Sequence, residues 1–182
     1  MKKYILFIII SGLVFSACNN PNEKEIGEVE GLIRIVEEAE KSLLAIDTSV
    51  VFTSKRQMDE DISAINRVYD TINREIAFRL DDIFRSRKML RRMVSNYPGL
   101  IRKINFSKNQ LNKLKQDLEN NLIKKEDFKK HFIMEQAEVM TLSAQINKTI
   151  GGLDFALEKL KSDRPELLKI LGGNELNTAT NE

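Results

Sequence analysis

From Glu25 onward, apolar residues recur three and four positions apart, with polar residues filling the gaps. Val29, Val36 and Leu43 step by seven, and Leu32, Ala39 and Ile46 form a second series between them. That alternation gives a helix one dry stripe, a seam of the coiled-coil type. It predicts helix A over about 24–47. Next comes turn and cap chemistry at Asp47-Thr48-Ser49 and Thr53-Ser54. Ser54 with Gln57 reads as a capping box, and Phe52 with Met58 as a hydrophobic staple. Helix B then shows Met58, Ile62, Ile65, Tyr69, Ile72, Ile76, Leu80, Ile83, Leu90 and Val94 on its dry side. Two successive four-residue steps, Ile72 to Ile76 to Leu80, form a stutter that locally unwinds a supercoil. As one helix of about 40 residues it would be roughly 60 Å long.

Ser95-Asn96-Tyr97-Pro98-Gly99 should stop helix B, because the proline ring disfavours helix at Tyr97. Helix C follows with Ile101, Ile104, Leu111, Leu114, Leu118 and Leu122, and should end at Asn120-Asn121. Helix D opens with Glu126 and Asp127 in its first turn, where acids suit the helix dipole. Its stripe is Phe128, Phe132, Val139, Leu142, Ile146, Ile150, Leu153, Leu157 and Leu160, interrupted by Glu135. Gly151-Gly152 should bend helix D, end it, or admit close packing. A short helix E should run from Pro165 to Leu171 behind a Ser162 or Asp163 cap, with Gly172-Gly173 ending it and a disordered tail over 172–182. No strand alternation competes. Short loops make neighbours antiparallel, with A and B, then C and D, as two hairpins. The fold class is therefore all-α: an elongated antiparallel three- or four-helix bundle with coiled-coil-like packing over 25–171.

The first eighteen residues follow a different pattern. Lys2 and Lys3 precede an apolar run of 12 from Tyr4 to Phe15, then Ser16 and Ala17. The run is short for a bilayer span, and the layout is that of a secretory signal peptide. Phe15-Ser16-Ala17-Cys18 resembles the lipobox of bacterial lipoproteins, although Phe15 stands where that family usually has Leu. The resemblance implies removal of residues 1–17, acylation of Cys18 and attachment to a membrane. Cys18 is the only cysteine, and a thiol is the side chain that takes a thioether-linked lipid. A retained anchor and a free thiol are the alternatives. Residues 18–24, rich in Asn and containing Pro21, read as the lipidated residue and a flexible tether. Asn19, rather than Asp, follows the cysteine. By resemblance to the sorting rule of enteric bacteria, that favours the outer membrane. The Ile-, Lys- and Asn-rich style resembles Bacteroidota lipoproteins, and Asp70-Thr71-Ile72 resembles their O-glycosylation signal.

Composition narrows the function classes. The chain has 182 residues, 29 basic and 27 acidic. Without Lys2 and Lys3 its side chains are neutral, so overall charge does not point to nucleic acid. One Cys and one His exclude a Cys/His zinc cage, and no phosphate-binding glycine loop or GxSxG or HExxH motif is present. Asp127, His131 and Glu135 share a helix stripe but lack the further ligands of a metal site. No cofactor and no enzymatic activity are expected.

The distribution of charge is uneven. Residues 85–116 hold ten basic residues and no acid, whereas 18–47 hold eight acids and three bases. With a turn at Pro98, Arg85, Arg87, Lys88, Arg91, Arg92, Arg102 and Lys103 would gather at one end of the bundle and dock an anionic lipid, glycan or protein face. The competing reading is internal neutralisation by helix A. The expected function is a non-enzymatic structural or interaction module of the cell envelope, with a binding module or holdase-like chaperone as the alternative. Coiled-coil-like seams also suit self-association.

Overall fold

A computed structural model describes residues 20–68 and 74–179. Its elements are α1 (Glu23–Leu44), α2 (Thr48–Val68), α3 (Arg74–Glu119), α4 (Lys125–Ile150) and α5 (Leu153–Ala179), with no strand among the described residues. The fold is an all-α helical bundle. Cys18 and the rest of the N-terminal segment, Tyr69, Ile72 and the Asp70-Thr71-Ile72 triplet lie outside the described residues.

Helix α3 is the axis of the molecule. Its 46 residues span about 69 Å at 1.5 Å per residue. Contacts along it fix the direction of the others. Lys115 meets Glu30, Lys108 meets Glu40 and Arg87 meets Asp59, at 2.7, 2.7 and 2.8 Å. As the α3 number falls, its partner's number rises, so α1 and α2 both run antiparallel to α3, end to end. On the other flank Lys103 meets Gln145, Asn96 meets Thr149 and Lys159 meets Asp82. Helices α4 and α5 are therefore a second pair laid end to end. Every cross-section holds three helices: α3 with α1 and α4, then α3 with α2 and α5.

This topology corrects three expectations. Asp59 and Arg87 lie at 2.8 Å although 28 residues separate them. In a single helix B they would be about 42 Å apart. Residues 58–68 and 80–94 instead belong to two separate helices, and α2 packs against α3. Conversely, Pro98 lies inside α3, so helices B and C are one. A helix-interior proline costs about 3 kcal/mol. Leu90, Met93, Leu100 and Ile104 are buried on both sides of it. Each such side chain contributes about 1.5–3 kcal/mol, so the stripe outweighs the ring. Finally, α1 and α2 continue in one direction, so A and B form no hairpin. The C and D hairpin is present as α3 and α4.

Local chemistry explains the ends. Asp47 Oδ1 accepts hydrogen bonds from the backbone N–H groups of Ser49 and Val50 at 3.0 and 3.2 Å, capping α2 at Thr48. Ser54 and Gln57 consequently sit within the helix, and Phe52 is exposed. Helix α3 ends as expected at Asn120-Asn121. The Leu122 N–H donates to the Asp117 carbonyl and the Asn121 N–H to that of Leu118, with Asn121 at φ +56°. This is a Schellman closure. At the other break, Gly152 has φ +79°, and a Cβ there would sit 3.0 Å from Met89 Sδ. Thus Gly151-Gly152 both ends α4 and lets α3 approach closely.

Two further expectations change. Pro165 does not open a helix; it lies inside α5, where Leu153, Ala156, Leu160 and Leu167 form one buried stripe. Nor do Gly172-Gly173 close one, since α5 continues to Ala179. The expected 172–182 tail is thus helical to Ala179.

The helix A seam is filled within the chain: Val29, Leu32, Val36, Ala39 and Leu43 are all buried, while Ile46 is half-buried. Burying these residues requires no second copy.

Candidate functional site

The basic block does not gather at one end. Because α3 is unbroken at Pro98, Arg85 to Lys115 spreads over about 45 Å of one helix. Its members divide into three groups. Four are neutralised by carboxylates: Arg85 by Asp81, Arg87 by Asp59, Lys108 by Glu40 and Lys115 by Glu30. Among the described residues, Lys88, Arg91, Arg102 and Lys113 make no ion pair; all four are exposed.

Arg92 and Lys103 form the third group and face α4. The Arg92 Nη2 donates to the Gly151 carbonyl at 3.0 Å, while Nε is buried without a hydrogen-bond partner among the described residues. The Lys103 ammonium donates to Gln145 Oε1 at 2.8 Å. Between the two helices lies a cleft of about 460 Å³, whose rim holds Arg92, Lys103 and Lys148 and whose floor is Leu100 and Thr149. Ser95, Asn96, Gly99 and Gln145 complete it, with no carboxylate in its lining. Asn96 Nδ2 donates to the buried Thr149 hydroxyl at 3.2 Å.

Shared residues Gly99, Lys103 and Gln145 connect this cleft to a second of about 580 Å³ further along the same helix pair. Arg102, Phe106 and Leu142 line it, with Glu135 and Glu138 across on α4. Phe106 is 65% exposed. Burial, followed by repulsion from Glu138, pushes the Glu135 carboxyl above the usual range, against a smaller opposing pull from His131. The groove is therefore cationic at one end and acidic at the other.

Of the seven basic residues singled out by sequence, only Arg92 and Lys103 enter the first cleft, with Arg102 at the second. Lys148, Asn96, Gln145 and Thr149 had no distinguishing signal, since their importance comes from the pairing of α3 with α4. Asp127 and His131 are exposed and Glu135 is half-buried. Among the described residues, no group of three or more His, Cys, Asp or Glu side chains is arranged to hold a metal ion, and no helix is long and apolar enough to cross a membrane.

The N-terminal end carries a separate feature. The Asn22 side-chain amide donates to the Leu118 carbonyl at 2.9 Å and to Asn121 Oδ1 at 3.0 Å, and Asn20 reaches the Glu119 carbonyl at 3.4 Å. The expected tether is thus fastened to the α3–α4 turn from Asn20 onward. Leu122, at the tip of that turn, is 73% exposed. No protein-family model matches the chain, and neither a curated protein nor a solved structure does.

Proposed function

We propose that this chain is a non-enzymatic bacterial envelope lipoprotein, anchored through acylated Cys18 and acting as a rod-shaped interaction module. The observation that carries this reading is the lipobox-like start ending at Cys18, and the fastening of Asn20 and Asn22 to the α3–α4 turn sets which end such an anchor would hold. Two residues of chain reach at most about 7 Å. A lipid on Cys18 would therefore hold that end of the rod at the bilayer. Two or three acyl chains make such attachment stable, each buried methylene adding about 0.8 kcal/mol. The lipobox-like Phe15-Ser16-Ala17-Cys18 supports the anchor, and Asn19 favours the outer membrane. The far end of α3 would stand about 69 Å away, presenting the groove along the shaft to an envelope protein, lipid or glycan.

Growth on a clickable palmitate analogue tests the anchor. Wild type should take the label and Cys18→Ala should lose it; a labelled Cys18→Ala protein would contradict the reading. Orientation has its own measurement, because the chain contains no Trp. In vesicles, Leu122→Trp should be quenched by brominated lipid, whereas Phe78→Trp, near the start of α3, should not.

A further inference from the structure

We infer that the cleft between α3 and α4 is a binding site for a small phosphate ester carrying two or more negative charges, held by Arg92, Lys103 and Lys148. This inference does not require the lipid anchor. Three cations face one cavity of about 460 Å³ with no carboxylate in its lining. Elsewhere on the same helix the fold does the opposite: Arg87, Lys108 and Lys115 each meet an acid from α1 or α2 within 2.8 Å. Cations that line one cavity without an ion-pair partner in it leave a positive potential there, which a bound dianion would neutralise.

The site is also held in place. The Gly151 carbonyl fixes the Arg92 guanidinium, leaving most of its five donors unused. Gln145 holds the Lys103 ammonium through a neutral oxygen, which leaves its charge intact. Ser95, Asn96 and Gln145 add neutral hydrogen-bonding groups around the rim. Arg92 and Lys103 stand eleven residues apart on α3, about 16 Å of helix, so a guanidinium at one end of the cleft and an ammonium at the other suit a ligand with more than one negative charge better than a single carboxylate. The organic part of the ester has a place to go. The adjoining cleft offers Phe106 and Leu142, and its far wall of Glu135 and Glu138 rejects a second anionic group. Gly99 lines both clefts, and its missing side chain leaves room on the α3 side.

Calorimetric titration of the purified full chain in non-ionic detergent, with inorganic pyrophosphate as probe and acetate as control, tests the site. Pyrophosphate should bind saturably at one site, acetate should not, and affinity should fall as salt rises. Lys103→Gln and Lys148→Gln should each weaken binding about tenfold, the scale of one charge-assisted hydrogen bond. Arg91→Gln and Lys113→Gln, exposed and outside the cleft's lining, should leave it within twofold. Gly99→Leu should fill the cleft and abolish binding while the helix keeps its thermal midpoint, which separates blocking from unfolding. Absence of saturable binding would overturn the proposal, as would equal losses in the Arg91 and Lys113 variants. Binding to phosphatidic-acid vesicles through Lys103 and Lys148 without any binding of pyrophosphate would also overturn it, in favour of a lipid headgroup.

Discussion

Single residues hold strain that substitution can reveal. Gly152 adopts φ +79° beside Met89. An L side chain in that conformation costs about 1–2 kcal/mol, and Met89 must also move. Gly152→Ala should lower unfolding stability by that amount in a urea titration. Glu135 has the opposite character, because burial and Glu138 raise its carboxyl. The ionised form is disfavoured in the fold, so the penalty is present at neutral pH and disappears as pH falls through the raised value. Glu135→Gln should therefore stabilise the protein at pH 7, with the gain shrinking in acid. A gain independent of pH would show that charge is not its cause.

Among the elements, α3 carries the most consequence. Its interior proline opposes a helix held by the stripe running from Leu80 to Leu118. Since Pro98 is exposed, Ala there should restore the missing backbone N–H without disturbing the core. Pro98→Ala should gain about 1–3 kcal/mol in denaturant titration. The apolar stripes of α1 and α4 were readable because each buried position follows the 3–4 spacing. Local rules failed at Ser54, Pro98 and Pro165, where cap and breaker chemistry competed with long buried stripes and lost. The direction of each rod was not legible either. It depends on which stripe faces α3, and only pairs such as Lys108 with Glu40 reveal that. For the same reason sequence located Arg92 and Lys103 but missed Lys148, which α4 supplies.

At the scale of the whole molecule, ion pairs fasten both outer rods to α3 and, through Glu25 and Lys125, to each other. A hydrogen bond from Lys125 lowers the Glu25 carboxyl, and one from Lys115 lowers that of Glu30. Burial raises Asp59, but hydrogen bonds from Lys55 and Arg87 outweigh it and leave its carboxyl low. Lowered carboxyls contribute stability above their unfolded values that is lost as pH falls through the folded ones. Hydrogen bonds to Glu40, Glu30 and Glu25 raise the Lys108, Lys115 and Lys125 ammonium groups respectively. That contribution is complete below the unfolded lysine value and is lost as pH rises through the folded ones. Stability should thus be level across neutral pH, falling below about pH 4 and above about pH 10. Most of these pairs are half-buried at the surface, so salt should blunt both slopes in part. Thermal midpoints recorded from pH 2 to 11 at two salt concentrations check this.

The shaft, its cleft and the height of the far end all depend on one uninterrupted helix through Pro98. Spin labels on Lys88→Cys and Lys113→Cys, in a Cys18→Ser background, measure this by pulsed electron resonance. Twenty-five residues of continuous helix separate the two backbones by about 38 Å, and the labels should report a single distribution near that distance. A reversal at Pro98 would bring them within about 15 Å, and a dominant short distance would contradict the rod.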